Sequence, residues 1–170
     1  MNEKTILYDK GLEEYPKSGI ILGNISMFLI FILGTIAIWL FYPLLGWFYL
    51  IIAILLVYIV LRKLVCTNCY YYNKWCSIGW GRLSAALFKK GSIDNFNDSI
   101  GLKLAPFIYV SLMIIPIIVI IISIIQVFNY YKLGILIVLL LLFVYSGGIG
   151  RKASCSRCKM RLHCRGSAVK

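Results

Sequence analysis

Apolar and polar positions fall in long blocks: residues 20–42, 44–61, 106–128 and 133–149 are almost wholly apolar, and none of these runs contains Asp, Glu, Lys, Arg or His. Each approaches the roughly 17–25 residues that carry a helix across a hydrocarbon core. The blocks predict an all-α membrane protein with four transmembrane helices. The short connections at Tyr42-Pro43 and at residues 129–132 pair the runs into two hairpins, residues 20–61 and 106–149. Three polar segments remain: an N-terminal segment (1–19), a central loop (62–105) and a tail (150–170). A cleavable leader is not expected, because the first run lacks a small-residue cleavage site and another span follows it at once.

Composition supports this reading. Hydrophobic residues make up 61% of the 170 and charged residues 14%, against roughly 45–50% and 25% in soluble chains. Too few polar residues are left to coat four such helices in water. Asn24, Ser26, Thr35, Ser111, Ser123 and Gln126 are the main polar groups inside the runs, and helix packing accounts for them. Pro116 interrupts the third run, and a neighbouring group is expected to satisfy the carbonyl it frees. Gly23, Gly34, Ala37, Ala53, Gly134, Gly147 and Gly148 would let helices approach closely.

A formal net charge of +12 would suggest a nucleic-acid partner in a soluble protein. Here its distribution gives a simpler account. Of the 18 Lys and Arg residues, all but Lys132 lie in the three polar segments, Lys4 and Lys170 included. The positive-inside rule then puts both termini and the central loop in the cytosol, with the chain multi-pass in the plasma membrane. Tyr42, Trp47, Phe48, Tyr49, Phe128, Tyr130 and Tyr131 fit an aromatic belt at the opposite surface. Membrane lipid is the expected surrounding. Anionic lipid or RNA at the basic tail is compatible with the charge but not required by it.

All six cysteines fall in the central loop and tail. Arg62-Lys63-Leu64-Val65-Cys66-Thr67-Asn68-Cys69 is followed by Cys76, and Arg151-Lys152-Ala153-Ser154-Cys155-Ser156-Arg157-Cys158 by Cys164. An offset of 89 residues relates Arg62 to Arg151 and Cys66 to Cys155, and carries Tyr42 onto Tyr131. The chain therefore reads as two tandem repeats, each a hairpin followed by a three-cysteine segment. Two crossings per unit leave both copies in the same orientation, so a pseudo-two-fold axis along the membrane normal would bring the cysteine segments together. Between them, Trp80, Leu83, Leu87 and Phe88 at helical spacing predict a short amphipathic helix over residues 80–90, lying in the interface or packed over the cysteines.

Thiols on a cytosolic face are kept reduced, which favours metal ligation over structural disulfides. A CxxC turn lets two thiolates reach one tetrahedral ion, and two such turns complete a four-sulfur shell from Cys66, Cys69, Cys155 and Cys158. Cys76 and Cys164 recur at matching places and join the candidate set, and His163 is a further possible ligand. The spacing is similar to that of the binuclear zinc-cluster family, the six-cysteine, two-zinc modules of fungal transcription factors. That resemblance covers only residues 66–76 and 155–164, with a membrane hairpin between the halves. It implies a ligand set shared between two zinc ions and not DNA binding. An iron–sulfur cluster is the competing cofactor, since thiolates from two segments would also hold one.

The spans carry no acid, base or histidine, which argues against proton pumping or ion-coupled transport. One histidine excludes a bis-histidine haem within the chain. No nucleophile–base pair, paired carboxylates or phosphate loop is present, so a non-enzymatic role is favoured. Three functions are compatible with the sequence. The first is a structural or docking subunit of a membrane complex, its repeats joined by a cysteine-ligated zinc site, with a protein partner in that complex. The second is an iron–sulfur electron-transfer or redox-sensing subunit. The third is a thiol–disulfide oxidoreductase, which resembles the quinone-linked disulfide enzymes in helix count alone.

Overall fold

Residues 7–169 are described by the computed structural model, so Lys4 and Lys170 of the basic set lie outside it. Proline sets two of its helix boundaries. Pro16 precedes the first long helix, Lys17–Trp39, and Pro43 occupies the first turn of the second, which runs Pro43–Asn68. A missing N–H costs nothing at a helix start, because that donor has no partner there in any case. The third and fourth helices are Ile100–Gln126 and Tyr130–Ser156. All four are long and apolar enough to cross a membrane, and in lipid only a helix satisfies its own backbone so completely. No strand forms among the described residues; a single parallel bridge joins Leu12 to Cys158.

The helices overrun the apolar blocks at the cysteine end. The third begins at Ile100, not 106, because the Ser99 hydroxyl accepts the Leu102 N–H as an N-cap. The second and fourth continue past residues 61 and 149, so Cys66 and Cys155 sit in their last turns. Both long helices widen into a π turn just before their cysteines, at Leu55–Val60 and Tyr145–Gly150. These two turns lie 90 residues apart.

The first and third helices form the central pair, and the second and fourth pack onto it. One core joins Ile30, Phe31 and Ile38 to Ala53, Val57, Leu112 and Met113, and a second, nearer the hairpin turns, joins Ala37, Ile120 and Leu139. Tyr49 belongs to the first of these cores and not to the aromatic belt. It is only 8% exposed, and its hydroxyl donates to the Leu112 carbonyl at 2.7 Å. That carbonyl would ordinarily be bonded by residue 116, which is proline, so Tyr49 satisfies the acceptor that Pro116 leaves free. Gly34 makes this possible: a Cβ there would overlap the Tyr49 ring, at 2.7 Å from its hydroxyl oxygen. At the hairpin end, Lys132 Nζ donates to the Ser123 and Val127 carbonyls at 2.9 and 3.0 Å. The lone basic residue on that side thus caps the third helix, where carbonyls lack partners and a cation suits the dipole.

The fourth helix is the least covered. Its most apolar stretch is 6% buried, against 28% for each of the other three. Gly134, Gly147 and Gly148 have open space where a Cβ would project, so these glycines support no close approach within the described chain.

Candidate metal centre

The last turns of the second and fourth helices bring the two cysteine segments to one end of the bundle. Each segment then makes the same backbone turn. The Cys69 N–H bonds the Cys66 carbonyl and Cys158 the Cys155 carbonyl; one step on, Tyr72 bonds Cys69 and Arg161 bonds Cys158. The equivalence extends to sulfur. The Tyr71 N–H is directed at Cys69 Sγ, and the Met160 N–H, 89 residues later, at Cys158 Sγ. Backbone donors aimed at sulfur favour the thiolate form.

Four of the six thiols, Cys69, Cys76, Cys155 and Cys158, line one cavity of about 180 Å³ together with Tyr15 and Tyr71. Cys66 and Cys164 are not among its lining residues. Cys69 lies within electrostatic range of Cys66, Cys76 and Cys158, and Cys158 within range of Cys155 and Cys164, so all six belong to one connected set. None is in a disulfide. As the side chains stand, no three Cys, His, Asp or Glu groups among the described residues are gathered tightly enough to hold an ion. His163 faces elsewhere: it lines a second cavity, of about 320 Å³, beside Cys164, Arg161 and Arg165. Its Nε2 is buried without a hydrogen-bond partner among the described residues.

Burial dominates the acid–base character of Cys66, Cys69, Cys158 and Cys164. It pushes Cys158 up to about 11 and raises Cys69 and Cys164, while the backbone N–H at each sulfur opposes the rise. Metal-free, these four are protonated thiols of low reactivity at neutral pH.

The first segment is roofed by the short helix Trp80–Leu87. It ends before residue 90, since Phe88 is already extended. This helix packs over the cysteine turn, with Trp80 and Ser84 buried and Leu87 left exposed. Gly81 allows that contact, because any Cβ there would run into the backbone carbonyls of Tyr71 and Lys74. The Trp80 N–H donates to Cys76 Sγ at 3.2 Å. Beneath it lies Arg62, 4% exposed. Its guanidinium stacks 3.3 Å from the Trp80 ring centre. Nε donates to the Val57 carbonyl of the π turn at 2.8 Å, one terminal nitrogen to Cys66 Sγ at 3.1 Å and the other to the Tyr109 hydroxyl at 3.2 Å.

The second segment is held by residues 8–15, which form a strap that sequence periodicity does not announce. Tyr8 N–H bonds the Lys159 carbonyl and Leu12 N–H the Arg157 carbonyl, while Tyr15 N–H bonds the Trp75 carbonyl of the first segment. The Tyr15 hydroxyl donates to the Ser154 carbonyl and that of Tyr71 to the Leu12 carbonyl, both at 2.6 Å. Glu13 joins the two segments by charge, at 2.7 Å from Lys159 and 3.4 Å from Lys74, with the Tyr70 hydroxyl also bonded to it. The Lys159 and Tyr70 donors hold its carboxyl down at about 2. Asn97 pins the tail from the other side, donating to the His163 carbonyl and accepting from the Arg165 N–H.

Comparison with protein-family models, curated proteins and solved structures finds no match to this chain.

Proposed function

We propose that this chain is a small multi-pass protein of the plasma membrane, with both termini cytosolic, whose two hairpin repeats are joined by a cysteine-ligated zinc site. Its role on this reading is structural, as a docking subunit of a membrane complex. One observation carries the metal reading: two cysteine turns with the same hydrogen bonds, 89 residues apart, both line a single cavity. A change of rotamer re-aims a cysteine sulfur without moving the backbone, and binding would release the thiol protons that burial otherwise retains. The matching π turns and the packing of both flanking helices on a central pair support the repeat. The thinly covered fourth helix supports a membrane partner, since its open glycines leave room for another helix.

The raised, buried thiols of Cys66, Cys69, Cys158 and Cys164 argue against an oxidoreductase, which needs an accessible thiol of low pKa. Zinc is favoured over an iron–sulfur cluster because nothing here calls for electron transfer, and thiolate ligands alone suit either.

The test is elemental analysis and an absorption spectrum of anaerobically purified protein in detergent, beside a Cys66→Ser, Cys155→Ser double variant. Zinc at one or two per chain, colourless and lost in the variant, is the expected result. Iron with labile sulfide and a visible band would replace this reading with the electron-transfer one. Absence of any metal would leave the thiols themselves as the chemistry.

A further inference from the structure

Arg62 poses a problem of charge. A guanidinium this deeply buried costs several kcal/mol unless a counter-charge accompanies it. Among the described residues no carboxylate pairs with it; the two ion pairs found, Lys74 with Glu13 and Lys159 with Glu13, lie on the strap. Its partners are a carbonyl, a hydroxyl, an indole face and the sulfur of Cys66. Of these the thiol is the stronger acid, ordinarily about 8.5 against about 10 for the Tyr109 phenol, and the one that a bound metal would hold as an anion. The stacking on Trp80 recovers part of the cost, but not the missing ion.

We propose that Arg62 is the built-in counter-cation of an anionic metal–thiolate centre and positions Cys66 as one of its ligands. The inference rests on the metal reading above and adds the charge and composition of the shell. One zinc ion in four thiolates, or two in six, carries a net charge of minus two. A neutral ligand in place of a thiolate would lower the need for a counter-cation, so an all-sulfur shell is the one that Arg62 fits. The second repeat supplies the other cation: Arg151, at the position matching Arg62, lies within electrostatic range of Cys164 and donates to the Gly166 carbonyl at 2.8 Å. Arg151 is exposed, so water screens it and its share is smaller. The geometry around Arg62 is fixed from three sides. The π turn presents Val57, the third helix presents Tyr109 and the roofing helix presents Trp80, which leaves one terminal nitrogen aimed at Cys66. A hydrogen bond to a ligating atom from outside the shell tunes both affinity and electronic structure.

The experiment compares full-length wild-type protein with R62K, R62Q and R151Q in detergent, each loaded with zinc or with cobalt(II) as a visible reporter. Release of zinc to a chromogenic chelator is timed, and the sulfur-to-cobalt charge-transfer band is recorded. Losing the bond to Cys66 raises the sulfur lone pair, so R62Q is expected to shift that band to lower energy and to release zinc about 10–100-fold faster. R62K, which keeps the charge, is expected to recover most of the slow release, and R151Q to stay within about threefold of wild type. Equal release by R62K and R62Q, or an unmoved band in R62Q, would overturn the counter-cation role and leave Arg62 as packing. If the wild-type protein itself bound neither metal, the zinc reading would fail, and this inference with it.

Discussion

The two cysteine segments make the same turn by different means. The first is secured from within: Arg62 lies under Trp80, the roofing helix closes on Tyr71 through Gly81, and the adjoining core includes Val57 and Leu112. The second is secured from outside. Its arginine is exposed, no helix roofs it among the described residues, and its contacts include the strap at Leu12 and Tyr15 and the amide of Asn97. A repeated backbone motif therefore does not imply repeated stability. The first segment draws on the bundle core, whereas the second depends on a strap, on Asn97 and, on the proposed reading, on shared metal.

Metal removal should separate them most strongly. With a chelator stronger than the site, tryptic cleavage at Arg157, Lys159 and Arg161 is expected to accelerate more than about tenfold, while Lys63 and Lys74 stay protected, because a structural zinc supplies folding energy outright. Equal exposure of both segments would break the comparison. Next in size are the buried anchors. Trp80→Ala removes the stacking partner of Arg62 and the edge contact with Tyr58, at about 3–5 kcal/mol in thermal unfolding. Met160→Ala, at the only fully buried side chain of the second segment, should cost about 2–4 kcal/mol and loosen only the tail. Glycine substitutions sharpen the contrast at lower amplitude. Gly81→Ala drives a methyl into two carbonyls and should cost about 1–3 kcal/mol. Gly147→Ala meets open space on the fourth helix and should be neutral or stabilising by about 0.5–1 kcal/mol.

The smallest effect is at Glu13, and it has a pH signature. Its carboxyl is held at about 2, below the ordinary 4.5, by Lys159 first and Tyr70 next. A depressed carboxylate stabilises the fold fully above its unfolded pKa, and that contribution disappears as pH falls through the folded value. The stability gap between wild type and Glu13→Gln should therefore be constant above about pH 5 and close between about pH 4.5 and 2. A gap that widens on acidification would remove Glu13 as the clasp between Lys74 and Lys159.

The four helices long and apolar enough to cross a membrane were legible because lipid imposes one demand, an uncharged run of sufficient length, and composition alone reveals it. The two cysteine segments line one cavity; the 89-residue offset raises that expectation, and the repeat behind it stays a proposal. Arg62 was not legible. It entered the basic residues that set topology, and its burial depends on Tyr109 and Trp80, which arrive from distant parts of the chain. The available signal was its spacing, since position 62 lies one helical turn before Cys66 and on the same face. The strap at residues 8–15 was invisible for another reason: its order comes from hydrogen bonds to Lys159, Arg157 and Trp75, with no periodicity of its own. The same applies to Asn97, and to Tyr49, whose partner carbonyl exists only because residue 116 is proline.

The π turn at Leu55–Val60 also sets a phase. Each residue added to a helix turns everything beyond it by about 100° about the axis, so the widened turn decides the compass bearing at which Cys66 leaves the helix bundle. Its counterpart at Tyr145–Gly150 sets the bearing of Cys155. Deleting one residue from either turn would restore regular winding and swing that arm's sulfurs away from the shared cavity, with every ligand still present in the sequence.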